Sequence, residues 1–565
     1  MKRVSGPTLI CIAALAFMTL NCIFAIEKTS ITADEVIHIP AGYYSLTAGE
    51  YRMNAEHPPV AKMVAAIPLL FFVPQDTGPA DAPGNFSERG AHFYNHFWDR
   101  NRIAFVSIWF WARAAMLIFA IALGALLFVT TRRWFGSTAA VFAILLFSLE
   151  PTILGHAKIV HTDIAAAFVY LLFFVVLYAY ADRPTLRNAT LLGLATGLAL
   201  ATKFSMVVLL PVLAAYFLFH IWRRGVNSHP FLIAILVILI VNGAYRFRNP
   251  PLGPDEAWIH TVARQPQLVV RTIETLSHVL PRDFLFGMYV VSMHNSGGDS
   301  SSILGEYDYR GWWYYFPVAY ALKTPLPLLV ISVAALVWAI WSARRKDYAC
   351  LRALLPLAIY TALVMSSSIN IGVRHFLPAI PFLIMLAGAF LARIHERMPK
   401  TGLAIAVVAI GLMSVETARA FPFYLSYMNQ LKGNNPGWRY LSDSNVEWGD
   451  AVPELVQFLK TKGITRVSGA LLGGRLTLHF YGIEFVDLFA PPPLPETQYV
   501  ALGASFLNGS TVAYGDSTNG RGTEQQRVNF FDAYRNLKPI AIFGNSIYLY
   551  ETPATRKTDN PDRER

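Results

Sequence analysis

The sequence predicts an α-helical polytopic membrane protein of about 11 transmembrane helices, with a small α/β domain at its C-terminal end. Three observations predict it. Hydrophobic residues make up 54% of the 565 and charged residues only 15%, against about 25% charged in soluble domains, and mean hydropathy is +0.40. Apolar runs that approach the roughly 20 residues a bilayer requires recur as far as residue 420. Lysine and arginine are concentrated in alternate loops between those runs. Intrinsic disorder and a wholly soluble enzyme are both excluded by this composition.

The runs lie near 7–26, 104–129, 137–153, 164–181, 188–202, 205–221, 230–247, 325–342, 351–368, 376–392 and 401–419. The first follows Lys2 and Arg3 and lacks a convincing small-x-small cleavage site, so it reads as a signal anchor. The pair 188–202 and 205–221 is joined by almost no loop, and a re-entrant hairpin would give the same parity. Alternate crossings put Lys2/Arg3, Arg132/Arg133, Arg183/Arg187, Arg223/Arg224, Arg344/Arg345/Lys346 and Arg393/Arg397/Lys400 on one side, with Asp182, Asp347 and Glu396 as their acidic company. The short loops opposite carry Lys158, Lys203 and Arg374. The positive-inside rule therefore predicts a cytoplasmic N-terminus in a bacterial inner membrane and an extracytoplasmic (periplasmic) C-terminal domain. The net charge of +11 is then a matter of topology, and nucleic acid is not an expected partner. Cys11, Cys22 and Cys350 sit in or beside apolar runs and form no disulfide or metal framework.

Residues 1–420 are thus expected to form the membrane module, with two long outer loops at 27–103 and 248–312. Within the first loop the apolar stretch of fourteen residues from Val60 to Val73 is too short to span and suits an interfacial helix. Trp312 to Phe316 reads as an interfacial aromatic belt. Residues 421–552 change to a polar, mixed texture, with a helix over Asp450 to Lys462 and strands at 464–472, 498–505 and 539–550. Residues 553–565 are charged, lack aromatics and are expected to be disordered.

Chemistry is expected where polar groups gather at the outer helix ends. The first loop opens with Asp34-Glu35 and His38, and continues through Asn54-Ala55-Glu56-His57-Pro58-Pro59. Glu150 and the run His156 to Asp163, which includes His161, fall between the third and fourth spans. Asp163 stands at the start of an apolar helix, where an N-cap and an active-site carboxylate are equally served. Lys203, Arg246, Arg248, Lys323 and Arg374-His375 bring cations to the same level, either snorkelling to headgroups or holding an anion. His38, His57, His156 and His161 with nearby carboxylates permit a divalent cation, although no spacing such as HExxH demands one. The segment Asp443 to Asp450 could contact sugar, but capping of the following helix is the favoured reading.

The order of these features resembles the GT-C class of membrane glycosyltransferases, and within it the bacterial relatives of the protein O-mannosyltransferases (dolichyl-phosphate-mannose-protein mannosyltransferases) and aminoarabinose transferases. The stretches that carry the resemblance are ADEVIHIPAGYYSLTAGEYRMNAEHPPVAK (33–62), EPTILGHAKIVHTD (150–163), ATKFS (201–205), YFPVAYALKTPLP (315–327), NIGVRHFLPAIPF (370–382) and YLSYMNQLKGNNPGWRYLSDSNVEWGD (424–450). The resemblance implies a single sugar moved, with inversion, from a polyprenyl-phosphate donor to a hydroxyl on a protein, lipid or glycan, without a required cofactor. It implies catalytic roles for Asp34, Glu35 and Asp163, with Asp34 the general base, and a donor phosphate held by Lys203, Arg374 and Arg246. Glu56, His57, His161 and His375 complete the expected substrate-binding set. The WWDYG signature of oligosaccharyltransferases is absent, and His57 stands where aminoarabinose transferases usually carry lysine after the loop glutamate. Readings from other classes are a flippase or transporter of the same lipid-linked sugar, or a non-catalytic envelope assembly protein.

Overall fold

The computed structural model describes residues 5–225, 228–512 and 523–552. Lys2, Arg3 and the 553–565 tail lie outside the described residues. Eight helical stretches among them are long and apolar enough to cross a bilayer, or nine if one bent pair counts as a single span. These are α1 (Gly6–Lys28), α5 (Phe105–Phe135), α8 (Asp163–Asp182), α10 (Leu209–Arg224) with the preceding 3₁₀ turn, α16 (Leu326–Arg344), α17 (Tyr348–Met365), α18 (Ile380–Arg397) with its 3₁₀ entry, and α19 (Pro399–Ala420). The bent pair is α6 (Ser137–Ser148) and α7 (Pro151–Ala157), which meet at 64°.

That bend corrects the single run read at 137–153, and its cause is local. Proline disfavours a helical residue before it and is well placed as the first residue of a new helix. Glu150 is accordingly extended, and its carboxylate accepts the Ile153 backbone N–H at 2.6 Å as the N-cap of α7. Two other expected spans are short helices, α9 (Leu186–Leu200, 15 residues) and α11 (His229–Ala244, 16 residues). At 1.5 Å per residue each covers about 22–24 Å, less than the bilayer core. The two pack side by side, with Gly193 and Gly197 of α9 admitting Leu236 and Ile240 of α11 so closely that a Cβ on either glycine would lie 2.9 or 2.8 Å from them.

The α18 span is enclosed on nearly all sides and α5 and α8 pack beside it. Outer helices leave apolar rows uncovered, such as Leu9, Ile12, Phe17, Leu20 and Phe24 on α1 and Val330, Val333, Val337 and Trp341 on α16. In water such rows would be costly; lipid tails are their natural solvent.

Both long loops are folded. The first contains α2 (Glu35–Thr47), α3 (Val60–Ala66) and α4 (Phe86–Arg100); the second contains α12 (Pro254–Val262), α13 (Pro266–Leu276), α14 (Arg282–Gly297) and a hairpin of β1 (Ser301–Ile303) with β2 (Glu306–Asp308). Past α3, a 3₁₀ turn exposes Ile67, Leu70, Phe71 and Phe72 as an apolar face. Of the expected aromatic belt only Trp313 is exposed. Tyr315 and Phe316 begin α15 (Tyr315–Lys323) and are buried, because Asn445 donates to Tyr315 Oη at 2.9 Å and holds this corner against the C-terminal segment.

The C-terminal sheet has five strands in the order β4-β3-β5-β7-β6. Strand β3 (Arg466–Ala470) runs parallel to β4 (Glu484–Asp487) and β5 (Tyr499–Gly503); β7 (Ile547–Glu551) is antiparallel to β5 and to β6 (Ala541–Phe543). Helix α20 (Val452–Thr461) buries Val452, Leu455, Val456 and Leu459 beside it. The sheet is joined to the membrane helices by Phe480 stacking on Phe105 at 4.4 Å and by backbone bonds from Ser30 to Asp450 and from Ala33 to Trp448.

Helices α2 and α3 touch backbone to backbone, since a Cβ on Gly42 would lie 2.1 Å from the Lys62 carbonyl oxygen. Gly42→Val is therefore expected to lower stability by about 1–3 kcal/mol through overpacking. Thermal unfolding of the detergent-solubilised protein measures it. A melting temperature equal to wild type would show that the contact is not as tight as described.

Candidate active site

A cavity of about 740 Å³ opens where ends of the helices meet both folded loops and the C-terminal segment. Seven of the ten sequence-predicted site residues line it: Asp34, Glu56, His57, His161, Lys203, Arg374 and His375. Met288, Val291, Phe316, Tyr360, Leu363 and Val364 add apolar surface to the same lining. A chamber lined by both charged and apolar groups suits a ligand that carries both.

Asp34 precedes the first turn of α2, and its carboxylate meets cations rather than capping the helix. Arg374 Nη1 donates to Asp34 Oδ2 at 2.7 Å, and His161 Nε2 lies 3.4 Å from the same oxygen. Burial acts to raise this carboxyl, but its neighbours, the Arg374 guanidinium first among them, outweigh it and hold it well below the ordinary carboxylate range. Arg374 is itself held over the face of Trp448, with its guanidinium carbon 4.2 Å from the ring centroid. The 3₁₀ turn that carries Arg374 is anchored by Asn445 Oδ1, which accepts the Val373 N–H at 2.9 Å.

Lys203, at the break between α9 and the turn before α10, is paired with the fully buried Asp163. Asp163 is the first residue of α8; Thr162 holds the N-cap position, so the expected capping role falls away. The Asp163 carboxylate also contacts His161 Nδ1. Asp163 thus stands behind the cavity wall, fixing the lysine and the histidine that face the cavity.

His57 and Glu56 are presented by the turn before α3. Lys62 ties that turn by donating to Asn54 O, Asn54 Oδ1 and His57 O at 3.1, 2.8 and 2.9 Å. Burial lowers the Lys62 ammonium to about 7, and burial raises the Glu56 carboxyl.

Two predicted site residues are elsewhere. Glu35 is fully buried and paired with Arg113 of α5, away from the cavity lining. Arg246 donates to Leu46 O at 3.0 Å, and its neighbour Arg248 to Ala48 O at 2.5 Å. Both arginines complete the C-terminal end of α2, whose last carbonyls attract cations, and neither reaches the cavity. Lys323 is likewise committed, donating to Leu425 O at 2.6 Å and Asn445 O at 2.5 Å.

The Asp443 to Asp450 segment does not cap α20, whose N-cap is Ala451 without a side-chain bond. Asp443 and Trp448 instead line the cavity. Asp443 has a left-handed backbone (φ +53°), a costly conformation held here by its surroundings, and burial pushes its carboxyl up to about 6. Glu447 accepts the backbone N–H groups of Leu472 and Ser505 at 2.9 and 3.0 Å, clamping the segment to the sheet.

Residues 102–244 match the family model described as dolichyl-phosphate-mannose-protein mannosyltransferase. The resemblance carried by the motifs is thus found again over that stretch, which includes His161, Asp163 and Lys203. Among solved structures, the chain is similar to ArnT from Cupriavidus metallidurans in the apo state, with 14% identity, 96% of this chain and 98% of that one covered, and a TM-score of 0.48. The same protein bound to undecaprenyl phosphate gives 15% identity, 85% and 75% coverage and a TM-score of 0.45. The Archaeoglobus fulgidus oligosaccharyltransferase, in complex with Zn and sulfate, gives 12%, 91% and 70%, and 0.48. No curated protein matches the sequence significantly.

Proposed function

We propose that this protein is an integral-membrane glycosyltransferase that moves a single sugar from a polyprenyl-phosphate donor to a hydroxyl acceptor on a protein, lipid or glycan. The observation that carries the reading is the Asp34–Arg374 pair on the wall of a cavity that also has apolar lining. The family match over the stretch holding His161, Asp163 and Lys203 supports the same reaction class. The partition of Lys and Arg among the loops supports an orientation with the N-terminus in the cytoplasm and the cavity facing outward, in a bacterial inner membrane.

In this reading the acceptor oxygen attacks the anomeric carbon, the bond from that carbon to the phosphate oxygen breaks, and the acceptor proton passes to Asp34. The sugar inverts and polyprenyl phosphate leaves. Arg374 and Lys203 stabilise the negative charge that grows on the departing phosphate. The ion pair of the free protein fits this sequence of events. While Arg374 holds Asp34, the carboxylate is a weak base; a donor phosphate that draws the guanidinium away removes the charge that depresses it, and the base strengthens as substrate arrives.

The test uses the purified full-length protein in detergent micelles with a polyprenyl-phosphate-linked sugar and a panel of hydroxyl acceptors. Mass spectrometry is expected to find free polyprenyl phosphate and glycosylated acceptor in equal amounts. Binding of the donor with no bond cleaved, for any acceptor recovered from an envelope extract, contradicts the proposal and leaves a lipid carrier or assembly protein.

A further inference from the structure

We propose that His38, His57 and His161 form a tri-histidine site for one divalent transition-metal ion of the zinc type. The site shares His161 with the contacts described above, and its test is separate from that of sugar transfer. The three residues come from α2, the turn before α3 and the loop before α8, yet one ligand atom from each lies within 4.8 Å of those of the other two. The rings are mutual neighbours, with centroids 4.9, 5.1 and 5.8 Å apart.

Two of the rings are already oriented as ligands. His38 Nδ1 is 3.1 Å from the Val160 carbonyl oxygen, which only accepts, so the proton is on Nδ1 and Nε2 keeps its lone pair. In His161, Nδ1 lies against both the Asp163 carboxylate and the Asp163 backbone N–H, at 3.3 Å from the latter, while Nε2 accepts from Arg374 Nη1 at 3.0 Å. Arginine only donates, so the Arg374 contact places a lone pair on Nε2. A second nitrogen bonded to a carbonyl or carboxylate is how metal-bound histidines are held in place. His57 has no ring hydrogen bond among the described residues, and its ring edges into this cluster with nothing else to satisfy it.

Three imidazoles suit Zn²⁺ or Co²⁺ better than Mg²⁺ or Ca²⁺, which prefer oxygen. Bonds of about 2.0–2.1 Å need the ligand atoms roughly 3.3 Å apart, so the rings must close inward by side-chain rotation. The group in the way is Arg374, whose Nη1 fills His161 Nε2. Metal and guanidinium compete for that nitrogen, so a bound ion displaces Arg374 from it.

The experiment is metal binding itself, read without any transfer assay. Full-length protein stripped with chelator and titrated with Zn²⁺ alone is expected to retain one equivalent by elemental mass spectrometry, and Co²⁺ is expected to give the visible absorption of a four-coordinate site. His57→Gln should weaken binding by more than the roughly 10- to 100-fold that loss of a mere outer partner costs. That variant removes a ring without a hydrogen bond, so folding should survive, and its melting temperature checks this. Arg374→Gln, which removes the competitor, should bind at least as tightly as wild type. The proposal is overturned if wild type retains no metal, if His57→Gln binds undiminished, or if Arg374→Gln abolishes binding.

Discussion

Asp34→Asn is expected to lower the rate of sugar transfer by about 10²- to 10⁴-fold, the contribution of a well-placed general base, while donor binding persists. Asparagine has nearly the same shape, so the loss tracks the charge. Two consequences of that charge point in opposite directions. The acceptor proton loses its destination, which lowers kcat. Arg374, no longer neutralised by its 2.7 Å contact with Asp34, becomes freer to hold an anionic phosphate, so donor affinity is expected to be unchanged or tighter. A fall in kcat without a rise in KM is the signature of a group used in the transition state; a general loss of fold would damage both. The measurement is steady-state release of polyprenyl phosphate alongside donor binding by native mass spectrometry. Asp443 faces the same cavity, and its carboxyl, raised to about 6, is the stronger base in the free protein. If Asp443→Asn lost the activity and Asp34→Asn kept it, the base would belong to the C-terminal segment and the assignment to Asp34 would be wrong.

The sequence reveals more about which residues face the cavity than about how each is used. Asp34, His57, His161, Lys203 and Arg374 stand out because each is an ionisable group at the end of an apolar run, where charge is costly without a purpose. The same rule gathers Arg246 and Lys323, which structure assigns to backbone carbonyls; a sequence does not distinguish a cation that caps a helix from one that awaits a ligand. Glu35 is misread for a geometric reason. Consecutive residues on a helix diverge by about 100°, so when Asp34 turns to the cavity, Glu35 turns into the protein. Arg113 passes unnoticed inside an apolar run, although a guanidinium at that depth is itself a signal that a carboxylate lies near. Trp448 stacks on Arg374 across 74 positions of sequence (448 − 374), and no local pattern encodes such a contact. The lengths and ends of the spans are less legible: α9 and α11 are apolar but short, and Pro151 breaks a continuous run, because hydropathy averages over a window and is blind to where a helix ends.

Arg113→Met is expected to destabilise the fold by about 3–5 kcal/mol, the cost of leaving one member of a buried ion pair alone. Glu35 and Arg113 are both completely buried. Arg113 Nε and Nη2 donate to the two Glu35 oxygens at 2.8 and 2.5 Å. The carboxylate also accepts from the backbone of Thr32 and Val160 at 2.8 and 2.7 Å, and the guanidinium donates to Thr29 Oγ1 and Ser30 O at 3.1 and 2.5 Å. One pair therefore binds the end of the first span, the start of α2, the loop before α8 and α5 into the frame on which Asp34, His38 and His161 are mounted. Burial raises the Glu35 carboxyl, yet Arg113 and the backbone donors overcome it and set its pKa below 4.5. A carboxyl whose folded-state pKa is depressed stabilises the protein above its unfolded value and loses that contribution as pH falls through the folded one. Wild type is therefore expected to lose stability on acidification below about pH 4.5, and the double variant Arg113→Met/Glu35→Gln should lose less over that interval. The double variant also separates scaffold from chemistry. Because it buries no unpaired charge, it should recover much of the stability lost in Arg113→Met and, per folded molecule, a substantial share of transfer. If it folds as well as expected and remains inactive while Asp34 is intact, Glu35 takes part in the reaction, and the division of labour between the two adjacent carboxylates fails.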